Sequence, residues 1–385
     1  MSENLYATEE ERERAVRYSR TREWLVLVGL LWEMSLNLLA LVMGFSSLLR
    51  SECEKRAPRR LGATPPFAAI WILRSFLLSL PLSYFSGFVV EHRYGLSNQT
   101  RRAWLVDQLK GLGLEVAIGA PLISGLYWAI RRWPRRWWAV ISALTIPLAV
   151  VFTNLAPVVI MPLFNKFQPI KNRSLADRIR KLAAREGVNV SEVLQMDMSK
   201  QTKKANAMFT GLGNTKRIVL GDTMLDEFSD EEIEVVLAHE LGHQVHKDLW
   251  KLIALSAPTS AIGLFAAHAL APPLIARWGK RWGLRTEDGL ADVAALPLLF
   301  LLSGVAAQAL GPVLNALVRN VVEHPADRYA LELTKNRKAF IGAMEKLGRM
   351  NLANPRPAAL IKYLLYDHPP IHERIEYARQ WRPQD

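Results

Sequence analysis

The sequence predicts a helix-dominated, polytopic membrane protein with a small α/β insert between its membrane helices. Three observations predict it. The apolar residues gather in six long runs instead of spreading along the chain. The stretch from Pro162 to about Lys251 is polar, charged and built of short segments. Inside that stretch, His239-Glu240-Leu241-Gly242-His243 lies on a helical apolar periodicity.

Composition sets the limits. The chain has 385 residues and is 50% hydrophobic, an average that a soluble protein shares, so the distribution of apolar residues decides. Cys53 is the only cysteine, which excludes an intramolecular disulfide framework and a cysteine-based metal cluster. The net charge is +13, and the arginines flank apolar runs, at Arg50 to Arg60, Arg131 to Arg136 and Arg277 to Arg285. That placement suits lipid headgroups. Membrane lipid is therefore an expected partner and nucleic acid is not.

Residues 1–23 are polar, so the first apolar run reads as a retained anchor and not as a cleaved signal peptide. Residues 24–161 hold about four membrane helices, at Trp24–Leu49, Pro66–Val90, Gly111–Ile130 and Trp137–Met161. The two further runs, within 251–318, are Leu252–Ala276 and one inside Gly289–Val318. Each can cross a hydrocarbon core of ~30 Å. Glu33, Asn37, Arg74 and His268 interrupt these runs. Facing lipid, an ionised side chain costs roughly 2.5 kcal/mol or more, so these groups face protein or internal water, or pair with each other as struts.

The insert spans 162–250. Ser174 to Glu186 reads as a helix with Leu175, Ile179 and Leu182 on one side. Val188–Met196, Lys203–Phe209 and Ile218–Leu220 read as strands, with a glycine-bearing turn at Gly211 to Gly213. Ser229, Glu231 and Glu232 start a helix that continues to Asp248.

This last helix carries zincin-like chemistry. His239 and His243 are four residues apart on one helix face, where both can aim a ring nitrogen at one zinc ion. Glu240, beside the first ligand, can take a proton from the attacking water. A catalytic zinc needs a third protein ligand. His246 lies about 10 Å farther along an unbroken helix. Glu323, in Glu323-His324-Pro325-Ala326-Asp327, is the better candidate, with His324 as a local alternative. Asp327, four residues on, can accept a hydrogen bond from a ligand histidine. Two crossings separate the two segments, so both return to the same side of the membrane. Residues 319–385 thus hold the third-ligand helix and a charged tail.

These residues form a wider pattern. The chain resembles the type I CAAX prenyl protease family of integral-membrane zinc metallopeptidases. The resemblance rests on Glu91–Thr100, Ile160–Phe167, Asn206-Ala207 with Gly211, the zinc helix, Arg319 with Glu323 and Asp327, and His368-Pro369-Pro370 with Arg374. It implies a helical bundle around a water-filled chamber and one zinc per chain. The implied activity is endoproteolysis near the C-terminus of a peptide or protein substrate prenylated at a CAAX cysteine, on the cytoplasmic side. It also implies that Asn206 and Ala207 pair with substrate backbone, that His368 acts catalytically near the oxyanion, and that Arg374 supports the site. Six apolar runs stand where eukaryotic relatives have seven, and the compact loops are more like those of a prokaryotic relative. Broad-specificity quality-control membrane metallopeptidases share the zinc helix, but the flanking motifs favour the CAAX type. A transporter or scaffold with structural zinc would need no Glu240.

Overall fold

The computed structural model describes residues 5–57, 62–211 and 216–383. Among these residues, six helical stretches are long and apolar enough to cross a membrane. The first apolar run is not one helix. α1 runs from Glu9 to Val42, opening on a capping box in which Thr8 and Glu11 satisfy each other's backbone N–H groups. Its 34 residues make a rod of roughly 50 Å, so its polar start stands clear of the hydrocarbon layer. There Tyr6 donates its hydroxyl hydrogen bond to the Gly348 carbonyl (3.0 Å), Tyr18 to Glu91 (2.8 Å) and Ser19 to the Leu352 carbonyl (3.2 Å). Gly44, at φ 69°, turns the chain in a backbone region that glycine tolerates, and α2 (Phe45–Arg56) follows.

Three of the next spans are α-helices that each contain one wider turn. In the second, α3 (Thr64–Tyr84) passes through the π turn Phe85–Val89 into α4 (Val90–Arg93). The third joins α5 (Arg101–Leu114) to α6 (Ala120–Arg132) through Glu115–Gly119. In the fourth, α7 (Trp137–Leu155) leads into Ala156–Ile160.

The insert then forms. β1 (Phe167–Pro169), α8 (Arg173–Arg185), β2 (Glu192–Met196), β3 (Ala207–Thr210), β4 (Arg217–Gly221), α9 (Asp222–Glu227) and α10 (Asp230–Val245) follow one another. The described strands pair in the order β1-β2-β4-β3, with β2 parallel to β4 and the outer pairs antiparallel. The strand expected at Lys203–Phe209 begins only at Ala207, because the residues before it are held elsewhere. Lys203 N–H donates to the Leu96 carbonyl, and Ser97 pairs with Thr202. β2 likewise starts at Glu192, since Val188 and Val190 are buried in the core ahead of it. β1 leaves no signal in the sequence, since three residues show no alternation. Of the turn expected at Gly211 to Gly213, only Gly211 lies within the described residues.

α11 (Asp248–Trp278) is the fifth span. The sixth comprises α12 (Leu296–Val318), the π turn Arg319–Glu323 and α13 (His324–Thr334). α14 (Arg337–Met350), α15 (Ala359–Leu365) and α16 (Ile371–Gln380) complete the chain. The loop between the fifth and sixth spans is clamped to α2 by the buried Arg50–Asp292 pair and by Arg285 with Glu54 at 2.6 Å.

Arg74, His268 and Glu33, inside the spans, each find a partner within the protein. The Arg74 guanidinium lies 4.7 Å from the Trp71 ring centroid and donates to the Leu36 carbonyl at 2.9 Å. His268 Nδ1 accepts from Trp137 Nε1 at 3.2 Å. Glu33 accepts from Ser79 at 2.6 Å and lines a cavity of about 810 Å³ that Asp107, Glu115 and Gln201 also line. With Cys53 replaced, Glu33→Cys is therefore expected to react with a water-soluble maleimide and to resist quenching by lipid-phase spin labels. The opposite pattern would put position 33 in lipid.

Candidate active site

α10 begins where the sequence says it should. Ser229 and Glu232 form a reciprocal capping box, and Asp230, Glu231 and Glu232 place negative charge at the positive end of the helix. Ile233, Leu237 and Leu241 bury one face in the insert core. α10 lies against α13 at close range. A Cβ at Gly242 would stand 3.2 Å from Tyr329 Cδ1 and 3.3 Å from the Ala326 Cα, so any side chain there would have to push α13 outward by a few tenths of an ångström. Ala326 and Ala330 of α13 are fully buried.

The close approach brings a third ligand candidate to the two histidines of α10. The Nε2 atoms of His239 and His243 face each other at 3.2 Å. Glu323, delivered by the π turn of the sixth span, sets its carboxylate oxygens 3.5 Å from His239 Nε2 and 3.8 Å from His243 Nε2. One of those oxygens, Oε2, is buried with no hydrogen-bond partner. Glu240 offers a carboxylate oxygen in the same group, with the ligand atoms of His239, Glu240 and His243 all within 4.8 Å of one another. His246 ends up elsewhere. It caps the end of α10 and packs against Tyr329, with ring centroids 5.3 Å apart.

Around these groups lies a layer of carboxylates and one arginine. His239 Nδ1 meets Asp327 at 2.9 Å. Arg374, from α16, donates Nε to Asp327 Oδ2 at 2.9 Å and Nη2 to Oδ1 of the same carboxylate. Asp327 and Arg374 are both buried. Burial opposes a charge on His239, yet the nearby carboxylates of Asp327 and Glu323 outweigh it and lift its pKa to about 9. A metal ion arriving here competes with that proton. His368 Nε2 lies 3.3 Å from Glu323 Oε2, and its Nδ1 bonds Asp367 at 2.9 Å. The Asp367 bond, helped by Glu323, raises the His368 pKa against burial. Arg319 anchors this tail by donating to the carbonyls of Lys362 and Tyr366. Ala207 opens β3, an outer strand of the sheet that packs beside α10, and exposed Asn206 precedes it.

Two features escaped sequence reasoning. Asp248 accepts from His243 Nδ1 at 2.8 Å, and Asp367 holds His368. Asp367 could have been noticed as the acid next to a candidate histidine. Asp248 could not, because it reaches His243 only through a break in the helix after Val245.

Two imidazole nitrogens and a buried carboxylate oxygen that makes no hydrogen bond are a fitting donor set for zinc. The matches to known proteins agree. Residues 169–382 match the model of peptidase family M48, and residues 4–166 match that of the CAAX prenyl protease N-terminal region, described as having five membrane helices. The chain belongs to the CAAX prenyl protease family within M48. It is a multi-pass membrane metalloendopeptidase, and its family implies a bound metal. Similar proteins include an uncharacterised metalloprotease, YhfN, of Bacillus subtilis, 33% identical over 95% of this chain and 85% of that protein. An Arabidopsis thaliana CAAX prenyl protease 1 homologue is 30% identical over 78% of this chain and 70% of its own length. The crystal structure of S. mikatae Ste24p superposes with a TM-score of 0.85 at 25% identity, covering 98% of this chain and 91% of that one. Where that N-terminal description counts five membrane helices, the described residues within 4–166 hold four long apolar helices and the short α2.

Proposed function

We propose that this M48 protein cleaves a peptide bond near the C-terminus of a substrate prenylated at a CAAX cysteine, with one zinc per chain held by His239, His243 and Glu323, on the cytoplasmic side. The observation that carries the reading is the convergence of Glu323 on the two histidines, with its Oε2 buried and making no hydrogen bond.

Bound zinc would supply Lewis acidity, polarising the scissile carbonyl and acidifying a water. The chain's own residues do the rest. Glu240 takes the proton of the attacking water and returns one to the departing amine. Asp327 accepts from His239 Nδ1, which leaves Nε2 with a free lone pair. Arg374 neutralises Asp327 and ties α16 to α13. His368 is poised to face the negative charge that develops on the carbonyl oxygen, and its raised pKa favours the charged ring that does this best. Asn206 and Ala207 head a strand whose outer edge can take up extended substrate backbone.

The test pairs a farnesylated CAAX peptide with the same peptide lacking the prenyl group, on protein purified in detergent. Preferential cleavage of the prenylated peptide is expected. Equal rates would move the assignment to a broad-specificity membrane peptidase. On the same preparation, Glu323→Ala is expected to lose its zinc while remaining folded. Full zinc content in that variant, with loss in His246→Ala, would transfer the third-ligand role to His246.

A further inference from the structure

α10 and α11 follow each other with almost no linker, yet they are not one helix. α10 ends at Val245 and α11 starts at Asp248. The break is made by Lys247, whose φ of 56° is uncommon for a residue with a side chain. In an unbroken helix, a residue five positions after His243 would point well away from it. The break instead swings the first residue of the fifth membrane span back beneath His243.

We propose that Asp248 is the positioning residue for His243, the counterpart of Asp327 for His239. His243 Nδ1 lies 2.8 Å from Asp248 Oδ2, and Asp248 is 1% exposed. His239 Nδ1 lies 2.9 Å from Asp327 Oδ1. Each imidazole thus has a buried carboxylate behind it. Each carboxylate draws the ring proton to Nδ1 and turns the free Nε2 lone pair toward the point where the two rings meet, 3.2 Å apart. Each is in turn balanced by one cation. Arg374 serves Asp327, and Lys251 Nζ stands 2.6 Å from Asp248 Oδ1. The two halves come from different parts of the chain, one at the start of the fifth span and one at the end of the sixth. The inference rests on the reading of His243 as a metal ligand.

Asp248 also has an ordinary structural role open to it: an acidic residue at a helix start, paired with Lys251 one turn on. Four variants separate the roles: Asp248→Ala, Asp248→Asn, Lys251→Ala and His243→Ala. Each is read by the rate of zinc release to a chelator and by the visible spectrum of the cobalt-loaded protein. Asp248→Ala is expected to release zinc about 10- to 100-fold faster and to alter the cobalt spectrum. Asp248→Asn keeps an acceptor without the charge and is expected at the low end of that range. Lys251→Ala breaks the helix-start pair but leaves the carboxylate on His243, so zinc release should change only a few-fold. Wild-type release in the folded Asp248 variants, or an equal loss in Lys251→Ala, overturns the proposal. Should Asp248→Ala fail to fold, Asp248→Asn decides by the same criterion. Wild-type zinc retention in His243→Ala would instead defeat the ligand reading beneath it.

Discussion

Glu240→Gln is expected to cut peptide hydrolysis by about a hundred- to ten-thousand-fold while the protein keeps its fold and its zinc. The size follows from the usual contribution of a general base, roughly 3–5 kcal/mol of barrier. Glutamine keeps the size and polarity of the side chain but cannot accept the proton of the attacking water. Glu240 is half-buried on α10, in the same cluster of ligand atoms as the two histidines. It makes none of the contacts that orient them. Those belong to Asp327 and Asp248. The metal should therefore stay, and substrate binding should persist. Hydrolysis, zinc content and peptide binding measured on one preparation check this. Wild-type turnover by a verified sample would remove Glu240 as the base.

Arg374→Ala carries the second large effect, on stability and metal retention together. Arg374 and Asp327 form a buried pair with two parallel hydrogen bonds, and Asp327 also holds His239. Removing the arginine leaves a buried carboxylate with a single partner. Breaking one side of such a pair costs about 3–5 kcal/mol. α16 loses its anchor to α13, and His239 loses the balance of charge behind it. The expected results are a marked fall in thermal stability in detergent and faster zinc loss. Arg374→Lys should recover only part of either, since an ammonium cannot match the two-pronged geometry. A variant with wild-type stability and zinc retention would show that the pair is incidental.

The legibility of this protein in its sequence follows the range of the interactions involved. Six spans were readable because each apolar run declares itself within its own residues. Their ends were not. Glu9 to Glu23 carry no apolar signal, yet they continue α1 because Thr8 and Glu11 cap it and because Tyr18 and Ser19 find partners far along the chain. The same limit shortened the strand at Ala207, whose preceding residues are claimed by Leu96 and Ser97. In the site, the spacing of His239 and His243 and the Ser229 cap are local and could be read directly. Glu323 was reachable through spacing and the parity of membrane crossings. The expected roles of Asn206 and His368 came only through family resemblance, since no spacing rule links either residue to the zinc helix. Asp248 was hidden behind the backbone of Lys247, a conformation that no residue type there announces.

The π turn at Arg319–Glu323 has a mechanical consequence. Val293–Thr334 is a continuous helical stretch of 42 residues, roughly 60 Å of rod against a hydrocarbon layer of ~30 Å. The proposed third ligand closes the wide turn, in the last third of that rod. A helix that tilts to fit a thicker or thinner bilayer swings its overhanging end the farthest. Here that end is tied to the zinc helix, because Ala326 and Tyr329 pack against Gly242, and this contact is what holds Glu323 relative to His239.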